Sequence, residues 1–139
     1  MYQDLVVKWS TVGTTNVDDL NCSQCLYAYV VPRPKEIVYI GKADRCTVLE
    51  RWRGPDKAML HDWAESEGIS GVRIHVGFVS WGEGRRFSSA KLTDVESLLI
   101  HRLQLPGNVA YKTNRIARPS TRVRCVGDWP HKRKTFVDN

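Results

Sequence analysis

Two β-branched and aromatic runs, Cys25-Leu26-Tyr27-Ala28-Tyr29-Val30-Val31 and Glu36-Ile37-Val38-Tyr39-Ile40, flank Pro32-Arg33-Pro34-Lys35. No other feature of the sequence narrows the fold as much. Residues of this kind suit a pleated, buried surface. The two prolines cannot donate to a central ladder, so the chain turns between the runs. The connection is too short for a helical crossover, which leaves an antiparallel hairpin. Gly41 closes the second strand.

The pattern then becomes helical. Val48, Leu49 and Trp52 recur at spacings of three and four between Cys46 and Arg53, and Gly54-Pro55 interrupts them. Asp56 is placed to cap a second helix carrying Met59, Leu60, Trp63 and Ala64, which Gly68 ends. Residues 72–79 alternate: Val72, Ile74, Val76 and Phe78 point one way, Arg73, His75 and Gly77 the other. That predicts a third strand with one solvated face. Thr93-Asp94-Val95-Glu96 has the form of a capping box, with Val95, Leu98, Leu99 and Leu103 on the apolar face of its helix and Pro106-Gly107 as the stop. Residues 1–20 alternate only weakly (Leu5, Val6, Val7, Trp9, Val12) and read as a short strand or arm before a loop. One more strand is expected around Thr121–Val126.

The predicted fold class is therefore α+β, a small, mostly antiparallel sheet with flanking helices and a C-terminal tail. The length of 139 residues fits one domain. With 42% hydrophobic and 26% charged residues, disorder, collagen-like repeats and a coiled-coil rod are excluded. No apolar run approaches the ~18 residues of a membrane span. The N-terminus lacks a basic patch followed by an apolar stretch, so the expected location is cytoplasmic, with no membrane partner.

Charge is unevenly placed. Residues 1–100 hold 12 Lys/Arg against 13 Asp/Glu, whereas residues 101–139 hold 9 against 2. The whole excess of +6 thus comes from the last segment, chiefly Lys112, Arg115, Arg118, Arg122, Arg124, Lys132, Arg133 and Lys134. An anionic partner docking there is one reading, and a solvated basic tail is the other. The four cysteines include Cys22-Ser23-Gln24-Cys25. Its spacing suits a zinc knuckle or a redox dithiol, but neither Cys46 nor Cys125 has a second close pair. Structural thiols are the favoured reading, with a zinc-containing interaction domain as a distant rival.

The order Tyr27, Tyr39-Ile40-Gly41, Arg51, Glu96, Asn108 resembles the GIY-YIG nuclease superfamily over about residues 25–110. Cys25-Leu26-Tyr27 stands for the first half of the motif and Tyr39-Ile40-Gly41-Lys42-Ala43 for the second. The resemblance implies a three-stranded antiparallel sheet flanked by helices, with residues 111–139 as a basic C-terminal strand or tail within one domain, 1–139. It implies a Mg²⁺-dependent DNA endonuclease of restriction type, with Mn²⁺ able to substitute and no organic cofactor. Tyr27 is then the general base or proton shuttle, Tyr39 the water-positioning partner, Glu96 the metal ligand, Arg51 the transition-state clamp and Lys42 an auxiliary phosphate contact. The chain departs from the family in three places. Cys25 replaces a frequent glycine, the gap from Gly41 to Arg51 is long, and Pro55 stands where many members have His or Tyr. His61 is the auxiliary candidate for that last role.

These residue types suit phosphodiester hydrolysis. The attacking water must lose a proton, and negative charge grows on the phosphoryl oxygens. One carboxylate with several waters can hold Mg²⁺, and a guanidinium offers two-pronged donors to phosphate. Each residue also has a plainer explanation. The tyrosines are ordinary strand residues, Gly41 can simply end a strand, Arg45 or Arg53 can replace Arg51, and Glu96 can simply cap its helix. Asn108 sits in a Pro-Gly-Asn turn that asparagine favours for backbone reasons.

The partner implied is DNA, double-stranded, met by Arg53, Arg85, Arg86, Asn108, Lys112, Asn114, Arg115 and Arg118. A homodimer would place one site on each strand, and the sequence leaves its existence open. Two other functions stay open: a nucleic-acid-binding module that is inactive alone or cuts only with a partner, and a structure-selective repair or recombination nuclease.

Overall fold

The computed structural model describes residues 3–32, 35–68, 71–80, 86–108 and 121–137. Its elements are β1 (Gln3–Val12), α1 (Val17–Leu20), β2 (Cys25–Pro32), β3 (Lys35–Ala43), α2 (Val48–Trp52), α3 (Pro55–Ser66), β4 (Arg73–Ser80), α4 (Ser89–Leu103), β5 (Thr121–Gly127) and β6 (Thr135–Val137). The strands form one curled, mixed, six-stranded sheet in the order β3-β2-β4-β1-β5-β6. The layout is still α+β, but the expected three-stranded antiparallel sheet is corrected. Strands β3, β2 and β4 do pair antiparallel, and β1 then adds antiparallel to β4 and parallel to β5.

The reason lies in the N-terminal segment. Expected as a short strand or arm, it is a ten-residue strand in the interior of the sheet. Leu5, Val7 and Trp9 are buried against the α4 side, while Asp4, Lys8 and Ser10 face solvent. The alternation is real, but Val6 on the outer side blurs it. A three-stranded sheet would leave the long edge of β4 unpaired, and β1 removes that exposed edge. Strand β5 extends the expected Thr121–Val126 by one residue, and β6 pairs with it.

Two apolar layers sit on opposite faces of the sheet. On one, Leu92, Val95, Leu98 and Leu99 of α4 pack with Leu26, Ala28, Ile37, Ile40, Val123 and Phe136. On the other, Leu20, Val48, Trp52 and Leu60 from the three earlier helices pack with Tyr27, Tyr29, Val31, Ile74 and Val76. Strand β2 is buried from Cys25 to Val31 because it has helices on both sides.

β4 likewise corrects the expectation of one solvated face. His75 is only 1% exposed, with its ring Nδ1 donating to the Asp128 carbonyl at 2.8 Å, and burial lowers its pKa. Phe78, counted on the apolar face, is instead 49% exposed.

Local signals set the helix ends. Thr47 and Glu50 form a reciprocal capping box for α2. Pro55 begins α3 at the first position, where its missing N–H costs nothing, so Gly54 rather than Asp56 occupies the cap. Helix α4 starts four residues before Thr93, capped by the Ser88 side chain, which accepts from the Lys91 N–H at 3.2 Å.

Candidate active site

Strand β3 is the sheet edge on which the motif residues gather. Its register against β2 slips after Tyr29↔Tyr39 to Val30↔Ile37, so Val38 is the extra residue of a bulge. Ile37 and Ile40 remain on the α4 face, while Val38 and Tyr39 turn to the opposite one. Two-residue alternation from Ile37 would have put Tyr39 on the α4 side. The bulge brings it beside Tyr27 and Tyr29 instead, with ring centroids 6.0 Å and 5.3 Å away.

Gly41 lies inside β3, not at its end, and it pairs with Tyr27. The Tyr27 phenol crosses directly over it. A Cβ at this position would stand 2.5 Å from the Tyr27 hydroxyl oxygen and 3.0 Å from Tyr39 Cε1. Glycine is therefore required by the two tyrosines.

The outer edge of β3 is closed by the segment from α4 to Asn108. Gly107 N–H donates to the Val38 carbonyl at 2.7 Å. Asn108 accepts from Ile40 N–H at 3.0 Å and donates to Ile40 C=O at 2.9 Å, much as a neighbouring strand would. Glu96 takes the next position, its carboxylate accepting from the Lys42 backbone N–H. This disposes of the capping explanation for Glu96, because the residue lies two turns inside α4 and bonds to another element. Thr93 also faces β3, with its hydroxyl accepting from Lys42 Nζ at 2.5 Å and donating to Ser89 C=O at 3.1 Å.

Glu96 is 7% exposed. Burial pushes its carboxyl pKa up to about 7, against the opposing pull of the Lys42 and Arg51 charges. Arg51 reaches this field from α2, whose first turn is tied down by Val48 N–H donating to Cys22 C=O at 2.9 Å. Tyr27, Tyr39, Lys42, Arg51 and Glu96 are thus assembled around one end of β3. Tyr27 is 1% exposed and Tyr39 only partly buried, so Tyr39 is the more accessible phenol.

Other residues fall differently. Asn108 is buried and its amide is committed to Ile40, which gives it a structural part rather than a nucleic-acid contact. His61 is exposed on α3 and packs on Trp52, with centroids 6.0 Å apart; Trp52 in turn meets Tyr29 edge-on. Arg45, Arg53 and Arg86 are exposed. Arg85, Lys112, Asn114, Arg115 and Arg118 lie outside the described residues. Cys22 and Cys25 are free thiols with sulfurs 4.0 Å apart, and burial raises both pKa values.

Sequence reasoning missed the bulge, the Thr93 contact and the edge-closing role of Asn108. Only Asn108 carried a signal, its Pro-Gly-Asn context.

No cluster of three His, Cys, Asp or Glu able to hold a metal ion occurs among the described residues. The Glu96 carboxylate is the donor at β3 that could hold a hard cation, which would keep its other positions for water. The site does not fit an all-protein cage. No described helix is long and apolar enough to cross a membrane. No family model, curated protein or solved structure matches the chain.

Proposed function

We propose that the chain is a metal-dependent DNA endonuclease whose active site is the Glu96 end of β3. One observation carries the reading: a single buried carboxylate, two tyrosines, a lysine and an arginine, scattered over 70 positions in sequence, converge on one strand edge. A binding surface has no need of a desolvated carboxylate in the field of a lysine and an arginine. The GIY-YIG resemblance of the same residues adds support.

Glu96 would hold Mg²⁺ or Mn²⁺, which would supply a positive charge beside the scissile phosphate. The residues themselves do the rest. Tyr39, the more accessible phenol, orients the attacking water by accepting a hydrogen bond from it, and passes its own proton to solvent as it receives the water's. Tyr27, stacked beside it and locked over Gly41, fixes its position. Arg51 stabilises the charge that grows on the phosphoryl oxygens. Lys42 holds Glu96 through its backbone N–H and keeps a positive charge near the phosphate. The water oxygen bonds to phosphorus, one ester P–O bond breaks, and the leaving oxygen is protonated from solvent.

The burial of Tyr27 favours a second reading, a nucleic-acid-binding module that is inactive alone. Cleavage of supercoiled plasmid and of flapped duplexes, with Mg²⁺, Mn²⁺ or EDTA, separates the two. Metal-dependent cutting by the wild type and none by folded Glu96→Gln is expected. A folded wild type that binds DNA in a salt-sensitive way without cutting it would overturn the nuclease reading.

A further inference from the structure

The sheet half formed by the end of β4 with β1 and β5 has one face open to solvent, and its composition is unusual. Lys8 stands between Phe78 on one side and Val126 on the other, and Val6 stands beside Arg124. Lys8, Phe78 and Arg124 are exposed, and Val6 and Val126 are half-buried. Along the rim, Arg122 is bonded to Asp4, with its Nη2 donating at 3.0 Å. Apolar and cationic side chains therefore alternate across neighbouring strands.

This is also the tyrosine face. Tyr27 pairs with Val76, and Phe78 lies two residues further along β4 on the same side. Gly77, between them, points to the opposite face, where Val7 and Trp9 pack on it.

We infer that this face binds a single-stranded segment of the DNA substrate, with a base stacked on Phe78 and the backbone phosphates on Lys8 and Arg124. The inference rests on the nuclease reading and narrows its substrate to DNA with an unpaired flap, gap or branch. Charge complementarity selects a polyanion. The aromatic ring and its valine neighbours select an unpaired strand, because in a duplex the base faces are buried in the stack. The face lies on the same side of the sheet as Tyr27 and Tyr39, and the layer of α1, α2 and α3 packed over Tyr27, Tyr29, Ile74 and Val76 stands between them.

Fluorescence anisotropy in EDTA tests this with a labelled single-stranded oligonucleotide, its blunt duplex, and the duplex bearing a flap. The wild type should bind the single strand and the flap more tightly than the blunt duplex. Phe78→Ala should weaken single-strand binding about tenfold or more, and Phe78→Trp should retain it. Arg124→Ala should reduce the salt slope by about 0.7. Equal affinity for the blunt duplex, or indifference to Phe78→Ala, would overturn the inference. So would a wild-type dimer in sedimentation that Phe78→Ala dissolves while single-strand binding is absent, since the face would then belong to a second copy of the chain. Phe78-dependent binding without any Mg²⁺-dependent cutting would remove the nuclease reading and leave the binding face. Cutting of blunt duplex that Phe78→Ala does not alter would do the reverse.

Discussion

The two halves of the sheet are built to different rules. Strands β3 and β2 and the first part of β4 are covered on both faces, and their outer edge is closed group by group through Gly107, Asn108 and Glu96. Strands β1 and β5 pack α4 on one face and leave Lys8 and Arg124 in water on the other. In the first half, the polar groups along the outer edge each have a designated partner, so each of these is informative. In the second, an exposed side chain contributes little to folding and is free to serve recognition. Substitutions should therefore separate: the covered half governs stability and chemistry, and the open half governs binding.

The largest effect is expected at Glu96, where stability and activity should move in opposite directions. Glu96→Gln keeps an acceptor for the Lys42 N–H but removes a desolvated charge. Cleavage should fall by orders of magnitude while the metal-free protein becomes more stable, by on the order of 2 kcal/mol at pH 8. The sign follows from the raised pKa. Between the ordinary value of 4.5 and about 7, the folded protein retains a proton that the unfolded chain has lost. Wild-type stability should thus decline as pH rises through that window, and the variant should lack this slope. Urea melts across pH 4 to 8 would check it. A variant less stable than wild type at pH 8 would show that the charge is well compensated in the fold.

Next comes Asn108→Ala. It strips Ile40 of both side-chain partners at a buried edge, and each orphaned backbone group costs about 1–3 kcal/mol. A loss of about 3 kcal/mol in a denaturant melt is expected, with the metal-dependent activity of the surviving folded fraction little changed. Reduced DNA affinity at unaltered stability would instead return Asn108 to the nucleic-acid interface.

How far these residues could be read from the sequence follows the same division. The β2–β3 hairpin was legible because the Pro32–Pro34 break and two β-branched runs are local signals. The bulge was not, because Ile37 and Val38 are both apolar and hide the change of phase that turns Tyr39. Glu96 was visible as part of an ordered motif, yet its local context pointed to a cap that Ser88 in fact supplies. Its partner, the Lys42 N–H, lies 54 positions away, beyond the reach of any local pattern. Strand β1 was undervalued for the same reason: its partners on β4 and β5 are remote, and nothing near it announces a parallel pairing. The small three-stranded antiparallel sheet expected from these local signals is overturned by the six-stranded mixed sheet, of which β3, β2 and β4 are only one part.

Gly41→Ala tests the tyrosine packing within the covered half. The new methyl would overlap the Tyr27 phenol, whose ring packs against both Tyr29 and Tyr39. Overpacking of this kind costs about 1–3 kcal/mol, to be read from the thermal midpoint. Tyr27→Phe in the same background removes only the hydroxyl oxygen, the nearest atom at 2.5 Å, and leaves the ring carbon Cζ at 2.6 Å. Rescue by that second change should be partial. Full rescue would mean that the hydroxyl alone, and not the ring, dictates glycine.

The smallest stability effect belongs to the open half. Phe78 is 49% exposed on a strand whose buried neighbours pack without it. Phe78→Ala should change folding stability by no more than about 0.5 kcal/mol, as surface substitutions away from special features do. That near-silence gives the comparison its force. A residue that barely matters to folding has no structural reason to be a large aromatic flanked by a lysine, so a strong effect on single-strand binding would be assigned to recognition. If Phe78→Ala instead destabilised the protein as much as Asn108→Ala, the open face would be part of the core. The division between a half that folds and a half that binds would then fail.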